Sequence, residues 1–331
     1  MLLLLLLLAA PAAAAYNCTT VNGVEGACEL KLSQLTLAGS RLSGCGAYGG
    51  MYFWSGIAAT SCAYATQDKT FTEQLEMGIR YFDFDLSYIH KSQESLPYWE
   101  EGPVMVSIGS SVAYSRSLRK ALTEIRDFLN SNRNEVVSMR IKKYHPVTRE
   151  MRDNLLKSIS PLFNSVFGPE GSEGVQLTWE TSITNVGRMI ADNQRMVLYL
   201  NKDLWGTLQS DSRAHALNDL ESQDNLYGYK SCQNQHQIAE YLLNFKKINF
   251  RNLPVVVNWW LASGHACNTA LAELCTEDVE HLQTVYDEVL EGTHLDRPVN
   301  VVLADYVQPS LVREVNKMNE KAVKYYADHP W

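Results

Sequence analysis

Apolar and polar positions follow two periods after residue 30, one typical of strands and one of helices. Apolar residues recur at three- and four-residue steps over Leu118–Leu129, Met151–Leu162 and Leu311–Tyr326, and they predict amphipathic helices. Strands that alternate with helices of this length indicate parallel strands joined by right-handed crossovers. This order favours an α/β fold of the (β/α) TIM-type barrel class over an open sheet, although periodicity alone does not separate the two. Short apolar runs predict the strands Gln34–Gly39, Ile79–Leu86, Val104–Ile108, Val136–Ile141, Met196–Leu200, Val255–Trp259 and Val301–Asp305.

The length and composition of the chain fit one large domain. The chain has 331 residues, 46% of them apolar, which is enough to bury a large core. No linker rich in proline, glycine or serine divides it, and it contains no internal repeat. We therefore expect residues 16–331 to form a single barrel domain.

The first fifteen residues have the composition of a secretory signal peptide. A run of leucines leads into alanines and ends at Ala13–Ala15, a segment too short to span a bilayer as a helix. We therefore expect residues 1–15 to be removed and the protein to be secreted to the extracellular space. No later segment reaches about 18 uninterrupted apolar residues, so no transmembrane segment is expected. Asn17 begins the only glycosylation sequon and is a candidate for glycosylation.

The cysteines predict a disulfide-stabilised fold in an oxidising compartment. There are seven of them, and their spacings match no zinc-binding pattern. Pairing neighbours in the sequence predicts Cys18–Cys28, Cys45–Cys62 and Cys267–Cys275 and leaves Cys232 over. Sequence alone does not determine this connectivity.

The overall charge excludes two classes of partner. At a formal net charge of -8 the chain is not expected to bind nucleic acid. The same charge argues against simple electrostatic adsorption to anionic membranes.

Polar and charged residues follow several predicted strands, at the edge where a parallel barrel carries its chemistry. Arg41 follows the first strand, and Asp83 and Asp85 lie in the second. Lys142 and Lys143 follow the fourth strand, and Asp305 ends the last. We expect these side chains to meet at one end of the barrel.

Several segments resemble the phosphatidylinositol-specific phospholipase C (PI-PLC) X-domain family. Leu35–Ser43 is similar to the opening strand of that family, which runs into Gly-Ser/Thr-His-Asn/Asp-Ser. Phe71–Asp85 is similar to the second strand with its preceding helix, Ser117–Val137 to the helix before the fourth strand, and Asn300–Tyr306 to the final strand. The resemblance implies the PLC-like phosphodiesterase fold and a phosphoric diester hydrolase that acts on phospholipids.

Both catalytic histidines of the family are replaced in this chain. The resemblance implies that one histidine deprotonates the inositol 2-hydroxyl and the other protonates the leaving oxygen. Arg41 stands at the first position, and Ile108–Ser110 spans the second. An arginine stays protonated at ordinary pH and cannot act as a base. Loss of one acid–base group costs about 10²–10⁴-fold in rate, so no catalytic residue is assigned and enzymatic activity stays an open question.

The metal site implied by the family is only half matched. Metal-dependent relatives hold Ca²⁺ with a second-strand carboxylate pair, an Asn beside the first histidine and a Glu in the fourth strand. Asp83 and Asp85 match the pair, whereas Leu42 and Lys142 stand at the other two positions. Ca²⁺ or Mg²⁺ bound by Asp83 and Asp85 is one interpretation. In the other, these carboxylates pair with Arg80, Lys142 or Arg41, and no cofactor is present.

Cationic residues form the candidate ligand-binding set, which comprises Arg41, Arg80, Lys142 and Lys143. Arg41 suits a phosphate clamp, and it suits equally an ion pair with Asp305, which supports the first histidine in the family. Three hypotheses follow: a pseudoenzyme that binds a phosphorylated small molecule or phospholipid headgroup, an active metal-dependent phosphodiesterase using Asp83 and Asp85, and a non-catalytic secreted scaffold. A monomer is expected in each case.

Overall fold

A computed structural model of the protein describes most of the chain before residue 200 and the last strand and helix. Several predicted features lie outside the described residues: residues 1–15, Asn17, Cys62, Gly109, Ser110, Cys232, Cys267, Cys275 and Asp305. The described residues are 18–46, 51–53, 58–59, 65–89, 97–108, 113–145, 148–168, 175, 177–178, 184–200, 204, 215–216, 221–222, 255–258, 300–304 and 306–329.

Strands and helices alternate along the described residues, as the periodicity predicts. The helices are α1 (Phe71–Met77), α2 (Leu118–Ser131), α3 (Arg149–Phe167), α4 (Val186–Ala191) and α5 (Pro309–Asp328). The strands are β1 (Thr20–Val21), β2 (Val24–Glu25), β3 (Leu37–Ser40), β4 (Met51–Phe53), β5 (Ala58–Ala59), β6 (Tyr81–Tyr88), β7 (Val104–Ile108), β8 (Ala113–Ser117), β9 (Val137–His145), β10 (Leu177–Thr178), β11 (Met196–Leu200), β12 (His215–Ala216), β13 (Glu221–Ser222), β14 (Val255–Asn258) and β15 (Val301–Ala304).

Parallel strands follow one another around a curled sheet in chain order. β3 pairs with β6, β6 with β9, β9 with β11, and β11 with β12. On the other side β13 pairs with β14, β14 with β15, and β15 returns to β3, with Leu303 opposite Gly39. Pairing of the last strand with the first is the arrangement of a (β/α) barrel. Among the described residues, β12 and β13 do not pair with each other.

The third predicted strand has a different role from the one the sequence suggested. We expected Val104–Ile108 to be a parallel barrel strand, but β7 runs antiparallel to both β6 and β8. β9 therefore takes the place beside β6 in the barrel wall. The described part of the connection from β6 to β7 holds only a short 3₁₀ turn, Trp99–Glu101, and no crossover helix. A parallel return usually runs through a helix, whereas an antiparallel neighbour needs none.

The two faces of the curled sheet carry different residues. Phe82, Phe84 and Leu86 of β6 face the helices and belong to the larger core. Tyr81 alternates with them and packs inside the barrel with Leu37 and Leu303 in a second core. A Cβ at Gly39 would lie 2.7 Å from Leu303 Cδ2, so the close approach of β15 to β3 requires glycine there.

Local signals set the start of β6. Thr70 and Glu73 form a capping box at the start of α1, in which each side chain bonds the other residue's backbone N–H. Gly78, with φ of 113°, ends the helix and turns the chain toward β6. The helix and glycine of the second-strand signature therefore form as predicted.

A disulfide closes the N-terminal segment beneath the barrel. Cys18 and Cys28 are bonded to each other, which confirms that prediction. Cys45 is buried with its Sγ 3.3 Å from the carbonyl oxygen of Ser107. The Cys45–Cys62 and Cys267–Cys275 pairings stay predictions. None of the helices among the described residues has the length and apolar character needed to cross a membrane.

Candidate ligand-binding site at the barrel mouth

The turn after β3 holds Arg41 at the C-terminal edge of the sheet. Its backbone N–H donates to Ala304 of β15 at 3.0 Å. Ser43 ties the other side of the turn to β6, because its Oγ accepts from the Asp83 N–H at 2.8 Å. Leu42, with φ of 43°, makes the tight bend between them. Arg41 lies in this turn, and its side chain is partly buried. We call this edge of the sheet the barrel mouth.

A buried ion pair lies inside the barrel below this turn. Arg140 of β9 is opposite Asp83 of β6, and its Nε donates to Asp83 Oδ1 at 2.6 Å. The two side chains are 0% and 2% exposed. Two charged side chains that are shielded from water stay ionised when each one neutralises the other. The pair therefore sets the charge balance at the floor of the mouth.

The partner of Asp83 corrects the sequence prediction. We expected the carboxylates to pair with Arg80, Lys142 or Arg41, whereas Asp83 pairs with Arg140. Sequence reasoning missed Arg140 because it lies within the apolar β9 run between Met139 and Ile141. Arg140 could have been found from the sequence as a charged residue within a strand that is otherwise apolar, because such positions rarely carry an unpaired charge.

A bulge in β9 brings both lysines to the level of Asp85. Phe84 is opposite Ile141, but the next residue of β6, Asp85, is opposite Lys143, so β9 contains one extra residue, Lys142. Asp85 is buried, Lys142 partly buried and Lys143 exposed. Simple alternation along the strand, which would direct only one lysine to the mouth, does not hold through this bulge.

A row of hydroxyl-bearing residues continues from Asp85 across the antiparallel strands. Ser107 of β7 is opposite Asp85, Tyr114 of β8 is opposite Ser107, and Tyr52 of β4 is opposite Tyr114. The ring of Tyr52 lies 5.7 Å from that of Tyr98, between centroids. Sequence reasoning missed Tyr98 and Tyr114, because only the antiparallel pairing of β7 and β8 brings them together. This row extends the mouth on one side.

Burial favours the neutral form of two phenols at this row, those of Tyr98 and Tyr114. Burial raises the pKa of Tyr114 to about 12, with smaller contributions from Tyr52 and Tyr98. Burial also raises the pKa of Tyr98, and its hydrogen bond with Tyr52 adds to the shift. Neutral phenols both donate and accept hydrogen bonds.

Arg80 is placed away from the mouth, contrary to its inclusion in the ligand-binding set. It immediately precedes β6, five residues before Asp85, at the N-terminal edge of the strand. Its Nε donates to Glu135 at 2.7 Å, and its Nη1 donates to the carbonyls of Leu75 and Ile79 at 2.6 and 2.8 Å. These contacts hold α1, β6 and the start of β9 together, so Arg80 is a structural residue.

The described residues at the mouth do not fit a divalent cation. Ca²⁺ and Mg²⁺ require several oxygen ligands, and Asp83 Oδ1 already accepts from the Arg140 guanidinium. Lys143 stands beside Asp85. Within the described part of the chain, no three His, Cys, Asp or Glu residues lie close enough to hold a metal. We therefore derive no chemical step through a metal.

The structure describes only some of the residues that stand at the two family histidine positions. Arg41, which the resemblance aligns with the first histidine, lies at the mouth. For the second, Ile108 ends β7 one residue after Ser107, which is opposite Asp85. Gly109, Ser110 and Asp305 lie outside the described residues, so the Arg41–Asp305 ion pair stays a prediction.

Comparison with known proteins gives consistent matches. The family model described as PI-PLC X 1 matches residues 54–211. PI-PLC X domain-containing protein 3 of Danio rerio is 29% identical over 121 residues, which cover 35% of this chain and 34% of that protein. The aligned segment thus spans about a third of this relative.

Solved structures show the same fold at low sequence identity. A phosphatidylinositol-specific phospholipase C from Listeria monocytogenes matches with a TM-score of 0.54 and 16% identity, over 88% of this chain and 95% of that chain. One from Staphylococcus aureus matches with a TM-score of 0.57 and 15% identity, over 87% of this chain and 93% of that chain. These matches confirm the barrel class of the fold, and the family model shows that residues 54–211 are similar to the PI-PLC X domain.

Proposed function

We propose that the barrel mouth binds a phosphorylated or otherwise anionic ligand without cleaving it. Arg41, Lys142 and Lys143 lie around the mouth, and the Arg140–Asp83 pair lies beneath them. Counting Asp85, this group holds four cations and two carboxylates, in a chain whose formal net charge is -8. This concentration of positive charge at one edge of the sheet is the observation that supports the proposal, because it favours an anion there.

The chemistry of the group suits binding better than hydrolysis. Guanidinium and ammonium groups donate strong hydrogen bonds to phosphate oxygens. Neither titrates near neutral pH, so neither passes a proton to and from a substrate as an imidazole does. The hydroxyl row from Ser107 to Tyr52 supplies neutral partners for a sugar or inositol ring. We propose a phosphorylated small molecule or phospholipid headgroup as the ligand and a monomer as the binding species.

We also propose that the protein acts outside the cell. The Cys18–Cys28 disulfide supports this, because such bonds persist mainly in oxidising compartments. The predicted signal peptide over residues 1–15 and the sequon at Asn17 agree with it. Expression of the full chain in a secreting cell, followed by detection of glycosylated protein in the medium, tests this part of the proposal.

One experiment separates binding from turnover. Purified protein is incubated with phosphatidylinositol and lysophospholipid in the presence of Ca²⁺, Mg²⁺ or EDTA, and release of phosphorylated headgroup is measured. Binding of inositol 1-phosphate is measured in parallel by calorimetry. We expect binding and no release.

Matched variants connect the binding to the mouth. The Lys142→Gln/Lys143→Gln variant should bind inositol 1-phosphate about tenfold or more weakly, because charged hydrogen bonds are lost. The Lys31→Gln/Lys324→Gln variant removes the same charge elsewhere and should bind as the unmodified protein does. Metal-dependent release that Asp85→Asn abolishes would establish an active phosphodiesterase instead. Absence of both binding and release would favour the scaffold hypothesis.

A further inference from the structure

A pocket of about 300 Å³ lies on the helix-covered side of the sheet, away from the barrel interior. It is formed by the start of β7 and one side each of α2 and α3. Val104 and Leu162 line it, and both belong to the same core as Phe84 and Leu86. Asp85 alternates with those two residues and lies on the other face. The pocket is therefore separate from the mouth, and its volume is at the lower end of the range for small-molecule sites.

One side of the pocket is apolar. Pro103 and Val104 contribute from the β7 segment, and Pro161 and Leu162 contribute from α3. Val104 and Leu162 are nearly fully buried beneath it. Pro161 stands inside α3 and has no N–H, so it cannot donate to the carbonyl of Lys157 one turn earlier. The pocket thus combines an apolar floor with a helix that is locally weakened.

The other side of the pocket is cationic. Arg119 of α2 and Lys157 of α3 both line it, and both are exposed. Arg119 uses Nη1 to donate to Ser165 Oγ at 2.8 Å, one of the five N–H donors of a guanidinium. That contact holds the side chain across the two helices while leaving donors for a ligand.

The only carboxylate among the lining residues is already neutralised. Glu101 forms an ion pair with Arg116 and accepts a hydrogen bond from Ser117 Oγ at 2.9 Å. Arg119 and Lys157 therefore determine the charge of the pocket, which is positive in an acidic protein. An anion in the pocket is attracted by both groups, whereas a cation is repelled by both.

We propose that this pocket binds a small amphiphilic anion. Its phosphate or carboxylate group lies between Arg119 and Lys157, where the guanidinium offers paired donors and the ammonium a point charge. Its short alkyl chain covers Pro103, Val104, Pro161 and Leu162. The site is independent of the mouth, so a ligand here does not compete with one bound at Arg41 and Lys142.

Calorimetric titration of the full-length protein tests the site. Octanoate, octyl phosphate and neutral octanol serve as probes below their aggregation concentrations. With inositol 1-phosphate present in excess to occupy the mouth, we expect one molecule of anion to bind per chain and octanol to bind at least about tenfold more weakly, since it lacks the charged hydrogen bonds. Binding of both anions, or of one alone, supports the site and identifies its head-group preference.

Three variants determine the location. Arg119→Gln/Lys157→Gln should weaken binding of the anion by about tenfold or more. Arg133→Gln/Lys324→Gln, which removes equal charge from exposed positions elsewhere, should leave it unchanged, and so should Lys142→Gln/Lys143→Gln at the mouth. If the pocket variant unfolds, Arg119→Lys/Lys157→Arg replaces it and should retain binding. The proposal is overturned if neither anion binds, if the pocket variant binds normally, or if the mouth variant loses the binding.

Discussion

Two arginine–carboxylate pairs lie near the start of β6, at Arg80 and at Asp83, and their surroundings differ. At the start of the strand, Arg80 and Glu135 are 9% and 17% exposed, and Arg80 also bonds two backbone carbonyls and lies over the Phe128 ring. Inside the barrel, Arg140 and Asp83 are 0% and 2% exposed. The first pair joins structural elements at a partly hydrated edge, while the second is enclosed beneath the mouth. Similar chemistry thus serves packing in the first pair and charge balance in the second.

The largest loss of stability is expected from removing the charge of Arg140. Arg140→Met leaves Asp83 buried without a counter-charge, and it should lower the free energy of unfolding by about 3–5 kcal/mol. Urea denaturation at neutral pH measures this loss. Asp83→Leu combined with Arg140→Met removes both charges and should recover most of it. A double variant as unstable as the single one would show that the pair is not an isolated unit.

Removing Arg80 should cost less. Arg80→Gln loses the ion pair to Glu135 and the bonds to two carbonyls, and it should lower the free energy of unfolding by about 2–3 kcal/mol. Glu135→Gln leaves those carbonyl bonds intact, so its cost should be about 1 kcal/mol or less. The same denaturation series measures both variants. If Arg80→Gln costs as much as Arg140→Met, the contrast between the partly hydrated pair and the enclosed pair is wrong.

Loss of an exposed helix-capping contact should lower the free energy of unfolding by a smaller amount. Thr70→Ala removes the cap of α1 and should cost about 1 kcal/mol. The backbone and hydroxyl of Thr70 lower the pKa of Glu73, so this contact stabilises the fold above the unfolded pKa of 4.5 and fades as pH falls below it. The stability difference between Thr70→Ala and the unmodified protein should therefore narrow between pH 7 and pH 3. A constant difference would contradict a role for ionised Glu73.

The smallest effect should be confined to alkaline solution. The raised pKa of Tyr114 stabilises the fold fully below the unfolded value of 10, and this contribution is lost as pH rises toward about 12. Tyr114→Phe should therefore show a shallower fall in stability over that range, measured by denaturation at several pH values. Tyr88→Phe, at a partly buried tyrosine of β6, serves as the control. An equal fall in Tyr114→Phe would mean that Tyr114 is not the group that titrates.

Local signals predicted the elements better than their directions. β7 and β11 have the bounds that apolar runs indicate, and Gly78 ends α1 where the second-strand signature requires it. Residues a few positions apart determine such features, so they are visible in the sequence. The direction of β7 depends on how the chain from β6 returns, which periodicity does not report.

The sequence by itself determined most of the strand and helix pattern and the family resemblance, in which Arg41 stands where the family has its first histidine. It predicted the Cys18–Cys28 bond, which the structure confirms, without determining the connectivity. The tertiary structure decided which charges meet. Asp83 and Arg140 are 57 residues apart, and the bulge at Lys142 changes the register beside Asp85. Contacts of this kind depend on strand order and register, and a shift of one residue exchanges the side chains on the two faces. The pairing at the mouth therefore emerged only when the strands were assembled.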